Sequence, residues 1–340
     1  MHLLPLRSCL QLLALASASA SLAVTNDFLS VLERADAAAV RNDESTALYV
    51  FLSALSPHPD AEYALRRIAD LSPDAASRAQ LTNTLNSCLA LLDLPAQRIA
   101  ISLLASLCRS LGDSAAAQSY FAALAPLTNW LIVGGFDNAE RAGLTTRFPP
   151  EFRLGCRETY QGKQWPVRWR PALPLRHNFG VDLQLIRPTS WLTAYLRTGL
   201  LAPTTTCALL IIDFPGAFRL WLNGQPLAEE TQYREPHNEM YFVPLTLREG
   251  TNLIVAKLCS SHNNVTFLTR LALPNGTPLF LHSLQPDDAT IPLSCQTTSQ
   301  WPRPLPSPGV RRWEAAFLAN SNDQHTALML ARYYACLLYT

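Results

Sequence analysis

The residues of this 340-residue chain that could do covalent chemistry are scattered. Cys259 and His262 lie close together, and Asp213 completes a nucleophile, base and carboxylate set on paper. Closeness at the end of one strand does not by itself build that geometry. No G-x-S-x-G elbow, H-E-x-x-H pair or phosphate-cradling glycine loop occurs. The adjacent carboxylates Glu229-Glu230 and Asp287-Asp288 say nothing of a general acid set across a glycosidic bond from its partner. The expectation is a chain that is not an enzyme.

Binding chemistry has better candidates. Asp137 and Asn138 offer oxygen ligands that suit a structural calcium ion, although such a pair more often builds an Asx turn, and the turn is the favoured reading. No other cofactor is expected. Trp165, Trp169, Trp191, Trp221, Tyr233 and Tyr241 are aromatic faces on which a sugar ring could stack. Most tryptophans of a sandwich pack in its core or rim. Trp221 is singled out because it falls out of phase with Phe218, Leu220 and Leu222, and Tyr233 because it sits in a long polar loop. That loop, residues 229–239, also carries Arg234, His237 and Asn238, which makes it a ligand-binding candidate against the plainer reading of a solvated connection. Arg147, Arg153, Arg157, Lys163, Arg168 and Arg170 cluster among aromatics, but Glu151 and Glu158 dilute them. With a net charge of +1 and 16% charged residues, no nucleic-acid partner is expected.

The elements that position these residues fall into blocks. Residues 1–23 have the anatomy of a secretory signal peptide: Arg7, an apolar stretch over residues 10–15, then small residues at 18–20 and 21–23. The mature chain is therefore expected to be exported, to the periplasm or the cell exterior. No later run is long and apolar enough to span a membrane. Eight cysteines without C-x-x-C or zinc spacing do not define a disulfide framework.

Residues 24–126 read as an α-helical repeat domain, solenoid-like, with apolar stripes such as Ala100, Leu103, Leu104, Leu107 and Leu111. Gly112 suits a helix end, and Asp113 can cap the next helix. Over residues 127–290 the period becomes two. Residues 207–212 are apolar on both faces, as in a central strand, and Asn223-Gly224 marks a hairpin. An antiparallel β-sandwich is expected there. The proline-rich residues 291–309 read as a stiff linker, and residues 310–340 as a helical hairpin opening a second repeat segment that continues beyond Thr340.

Within the β block, W-L-I-V-G-G-F-D-N over residues 130–138, F-P-P-E over 148–151, Y-Q-G-K over 160–163 and V-R-W over 167–169 resemble a recurring bacterial module. So do R-L-W-L-N-G over 219–224 and V-P-L-T-L-R-E-G-T-N-L-I-V-A-K over 243–257. The resemblance implies a galactose-binding-like jelly roll. It is found in exported multidomain proteins beside tetratricopeptide-like helices, often ahead of a domain of unknown function and a transglutaminase-like domain. The family's G-P-F stands here as Gly134-Gly135-Phe136. The combined expectation is an exported, non-catalytic binding or scaffold protein. Its sandwich is a carbohydrate-binding candidate, and its helical repeats would meet protein partners. The alternative is the N-terminal accessory region of a larger transglutaminase- or peptidase-like enzyme.

Overall fold

The computed structural model describes residues 30–31, 33–35, 37–38, 41, 43–53, 60–71, 75–152, 159–176, 178–187, 190–234, 241–261, 265–284 and 301–338. The signal-peptide residues and the loop residues His237 and Asn238 lie outside that set. The chain forms two compact units, one helical and one built of antiparallel sheets.

The helical unit contains α1 (Glu44–Ser53), α2 (Ala61–Asp70), α3 (Ala75–Cys88), α4 (Leu94–Ser110) and α5 (Ser114–Ala122), followed far along the chain by α6 (Pro308–Ala319) and α7 (Gln324–Leu338). Helix α4 starts where Asp93 accepts the Ala96 N–H at 2.9 Å, with Pro95 in the first turn. It buries Ile99, Ala100, Leu103, Leu104 and Leu107 at helical spacing. As the sequence predicts, Gly112 turns the chain with φ +88°, and Asp113 caps α5 by accepting the Ala116 N–H. These helices differ in length and share a single core, and a regular repeat is not evident among the described helices.

Helices α6 and α7 pack into that same core. Val310, Trp313 and Met329 pack with Phe51, Leu65 and Leu104. The start of α6 is fixed on the start of α2. The Trp313 indole N–H donates to Asp60 at 2.7 Å, and the Gly309 N–H donates to Glu62 at 2.8 Å. Glu62 thereby sets a carboxylate against a helix N-terminus, where the backbone dipole favours negative charge.

The second unit is a β-sandwich. Its strands are β1 (Leu131–Asp137), β2 (Thr159–Gln161), β3 (Pro166–Arg168), β4 (Arg170–Pro171), β5 (Val181–Asp182), β6 (Leu192–Ala202), β7 (Thr206–Asp213), β8 (Ala217–Leu222), β9 (Gln225–Glu230), β10 (Tyr241–Leu247), β11 (Gly250–Ser260), β12 (Thr266–Ala272) and β13 (His282–Leu284). The larger sheet runs β4-β1-β6-β11-β8-β9, with β13 also paired to β6. The smaller runs β10-β7-β12-β5, and β2-β3 is a separate hairpin. The doubly apolar residues 207–212 lie on β7, which is flanked by β10 and β12. Asn223 and Gly224, both at positive φ, make the β8–β9 turn.

Alternation sends Leu196, Leu220, Ile254, Ala256 and Leu258 inward to meet Leu210, Ile212, Val243 and Phe267 of the smaller sheet. The opposite face of the larger sheet is buried as well. Tyr195, Trp221, Leu253 and Val255 there are covered by Phe148, Tyr160, Val167, Trp169 and Trp301.

Residues 301–305, read from the sequence as part of a linker, are bonded to the sandwich. The Glu229 N–H on edge strand β9 donates to the Pro302 carbonyl at 2.9 Å. Phe242 on edge strand β10 exchanges two backbone bonds with Leu305, at 3.0 and 2.8 Å. This strap occupies backbone groups on an edge of each sheet that would otherwise be open to strand addition. Among the described residues, no helix is long and apolar enough to cross a membrane.

Candidate functional site

Two polar centres lie beneath the motif segments. The first is Lys257, which β11's alternation points to the covered outer face of the larger sheet. Its ammonium donates to the Leu144 carbonyl at 3.0 Å, the Thr146 carbonyl at 2.6 Å and Glu151 Oε1 at 2.7 Å. Those three bonds use all the donors an ammonium has. Tyr195 donates its hydroxyl to the same Glu151 oxygen at 2.6 Å. The rings of Phe148 and Tyr195 lie 5.4 and 5.6 Å from the charge. Burial pulls the Lys257 pKa below its ordinary value, although Glu151 opposes the shift. Burial and the neighbouring Glu151 charge hold the Tyr195 phenol well above its ordinary range. The lysine is a bolt that fastens the 139–151 cover to the sheet.

The second centre is Asn138, wholly buried at the end of β1. Its amide nitrogen donates to the Tyr233 hydroxyl at 3.0 Å and the Ser260 carbonyl at 3.1 Å, and its oxygen accepts the Gly143 N–H at 3.1 Å. Its backbone N–H donates to the Trp191 carbonyl at 2.9 Å, and the Trp191 N–H donates to Ser261 at 3.3 Å. These bonds hold Trp191 at φ +50°, unfavourable for a bulky side chain, with 38% of the residue exposed. Beside it, Asp137 pairs with Lys163 at 2.7 Å and accepts the Ala139 N–H at 3.1 Å. The Lys163 hydrogen bond, burial notwithstanding, keeps the Asp137 carboxyl below its ordinary pKa. Arg141 lies over the Tyr233 ring at 4.7 Å. This end of the sandwich thus displays an indole, a carboxylate and an ammonium on one framework.

The structure redistributes the roles read from the sequence. Asp137 forms the favoured Asx turn. The buried Asn138 amide spends its groups on the fold, so the two do not converge as calcium ligands. Among the described residues, no three His, Cys, Asp or Glu side chains gather as a metal site would require. Trp221 is a correction: it does point to the opposite face from Phe218 and Leu220, but that face is covered. Only 3% of Trp221 is exposed, with Trp301 edge-on at 5.3 Å.

Tyr233 is half-buried as an Asn138 partner, and burial pushes its phenol up to about 12. Arg234 bonds Gln232 at 2.7 Å and pairs with Glu230 at 3.6 Å. Tyr233 and Asn138 are therefore joined, whereas Trp221 belongs to a separate cluster. His237 and Asn238 lie outside the described residues.

Two members of the paper triad lie among the described residues. Cys259 is buried on β11 against Thr193, and burial pushes its thiol up to about 11. Asp213 lies in the other sheet, 3.2 Å from Arg270, and His262 is outside the described residues. Cys88, Cys108 and Cys259 form no disulfide. The sequence sets Glu151 among the charges that dilute a basic cluster and does not single out Lys257. The available signal was a lysine inside the apolar strand run of residues 253–258.

No protein-family model and no curated protein matches the chain. Among solved structures, a β-glucosidase from Kluyveromyces marxianus is similar over 42% of this chain and 16% of its own, at 11% identity and a TM-score of 0.29. A PA14 sugar-binding domain from an RTX adhesin is similar over 27% of this chain and 51% of its own, at 15% identity and a TM-score of 0.22. The epithelial adhesin 9 A domain of Candida glabrata, in complex with Galβ1-4GlcNAc, is similar over 49% of this chain and 93% of its own, at 11% identity and a TM-score of 0.27.

Proposed function

We infer that this is an exported, non-catalytic binding protein whose sandwich takes carbohydrate at the end formed by Asp137, Lys163 and Trp191, while its helical unit meets a protein partner. The supporting observation for the sandwich is the exposed Trp191 indole, held by the Asn138 clamp beside an ion-paired carboxylate and ammonium. A sugar ring presents an apolar C–H face that suits an indole. Its hydroxyls can donate to the carboxylate and accept from the ammonium, the few placed polar groups that orient a ligand. The reading of export rests on residues 1–23. That of a non-catalytic role rests on the internal bonds that occupy Lys257, Glu151 and Asp213 and on the burial of Cys259.

The test is a glycan array probed with the full chain. Saturable retention is expected, lost in Trp191→Ala and weakened about tenfold in Asp137→Asn, the loss of roughly one charge-assisted hydrogen bond. No retention of the wild-type chain by any glycan sinks the reading.

A further inference from the structure

The face around Gly135 carries a second surface of different chemistry. Gly135 sits at a bulge in the β1–β6 pairing, at φ +98°. Two covering segments meet there. The Lys163 N–H donates to the Gly135 carbonyl at 2.6 Å, and the Arg187 carbonyl packs so closely that an added Cβ at Gly135 would lie 2.1 Å from it. The β2–β3 turn around Trp165 and the loop around Arg187 are therefore neighbours. On the adjoining stretch, Arg168 and Arg170 are exposed on either side of buried Trp169. The Arg170 guanidinium donates to the Leu185 carbonyl at 3.0 Å, tying the two segments together.

Three large apolar side chains are exposed in these segments: Trp165 at 56%, Leu173 at 71% and Leu185 at 55%. Between residues 159 and 187 the sequence has five basic residues and one acidic residue, Asp182, in a chain of net charge +1. Arg168, Arg170 and Arg187 have no carboxylate partner among the described residues. The basic charge is thus concentrated in the same segments as the apolar tips. Scattered exposed leucines need no explanation, but an indole and two leucines in segments whose guanidiniums lack a carboxylate partner form a pattern.

We propose that this surface docks on an anionic phospholipid bilayer. The indole belongs at the headgroup level, the leucines reach the acyl boundary, and the guanidiniums pair with lipid phosphates. Charge complementarity selects the occupant, since each basic group near an anionic leaflet adds to binding while neutral lipid gives it nothing. A bilayer also accepts protruding tips without a matching pocket. Docking on this surface does not depend on the sugar site at Trp191.

The experiment is co-sedimentation of the full chain with vesicles of phosphatidylcholine alone and of phosphatidylcholine mixed with phosphatidylglycerol. Sedimentation is expected with the mixed vesicles only. The triple variant Arg168→Gln, Arg170→Gln, Arg187→Gln should lower partitioning about 100-fold, as the loss of three basic groups implies. The charge-keeping Arg→Lys triple should retain it. Trp165→Ser with Leu173→Ser and Leu185→Ser should also lose it. Unchanged circular dichroism and melting temperature show that each variant is folded, and any single-site member of a set can stand in for one that is not. No sedimentation, equal sedimentation with both vesicles, or sedimentation unaffected by both sets overturns the proposal. Retention on polyglutamate resin without vesicle binding would assign the surface to an acidic protein instead.

Discussion

Lys257 and Glu151, 106 positions apart in sequence, meet at 2.7 Å with neither side chain more than 4% exposed. Removing Lys257 takes the buried ammonium from a carboxylate that keeps the Tyr195 hydroxyl and, at 3.8 Å, the half-exposed Arg147. Lys257→Met is therefore expected to cost the sandwich about 3–5 kcal/mol. The double change Lys257→Met with Glu151→Leu should recover most of that loss, because it removes both desolvated charges together. Urea unfolding followed by tryptophan fluorescence reads both. Equal destabilisation in the single and double variants would show that the pair is not what fastens the cover.

Cys259 supplies a pH signature. Burial raises its thiol from 9.0 to about 11, so between those values the folded chain keeps a proton that the unfolded chain releases. Its contribution is fully present below pH 9 and is lost as pH rises toward 11, about 2–3 kcal/mol in all. Tyr233, raised from 10.0 to about 12, acts in the same direction at higher pH. Lys257, whose pKa burial lowers, acts in the opposite direction, so the measurement is a comparison with Cys259→Ala. That variant should lose less stability between pH 9 and 11 than the parent. Parallel curves would refute the assignment.

Gly135 makes an unusual prediction about the proline of the motif it resembles. Proline fixes φ near −65°, whereas Gly135 lies at +98°. Gly135→Pro should therefore destabilise the sandwich by about 3 kcal/mol or more, the order of a strained backbone and a crowded Cβ together. Gly135→Ala, whose Cβ meets the Arg187 carbonyl, should also destabilise it. A rise in melting temperature for either variant would contradict the conformation described.

Trp191 and Trp221 should separate function from packing. Trp221→Ala deletes a buried ring and is expected to cost about 3–5 kcal/mol while leaving glycan affinity intact where the chain still folds. Trp191→Ala, which keeps the Cβ and with it the strain at φ +50°, should change stability by less than about 1 kcal/mol yet abolish retention on glycans. Thermal melts beside glycan titrations distinguish the two, and the reverse pattern would return the site to Trp221.

How far the sequence could lead is visible in that same pair. Period-two alternation correctly turns Trp221 away from Phe218 and Leu220, because a pleated strand fixes the face on which each residue lies. Alternation says nothing of what covers a face. Here the cover arrives from the 148–169 segments and from Trp301. Local features were readable for the same reason: the Asp113 cap, the Asn223-Gly224 turn and the Asp137 Asx turn each depend on bonds within a few residues. The partnership of Lys257 with Glu151 and the docking of Trp313 on Asp60 depend on contacts across 106 and 253 positions, for which a single sequence carries no register.

The helical unit is written in two instalments, before and after the sandwich, and this sets an order of assembly. Synthesis delivers α1 to α5 first, yet their core lacks Val310, Trp313 and Met329 until residues 308–338 have been made. Closing an unstructured span as long as the one between Asp60 and Trp313 carries an entropy cost that grows with its length, and a sandwich already folded in between shortens the effective span. A sandwich that folds first thus lowers the entropic cost of closing the helical core.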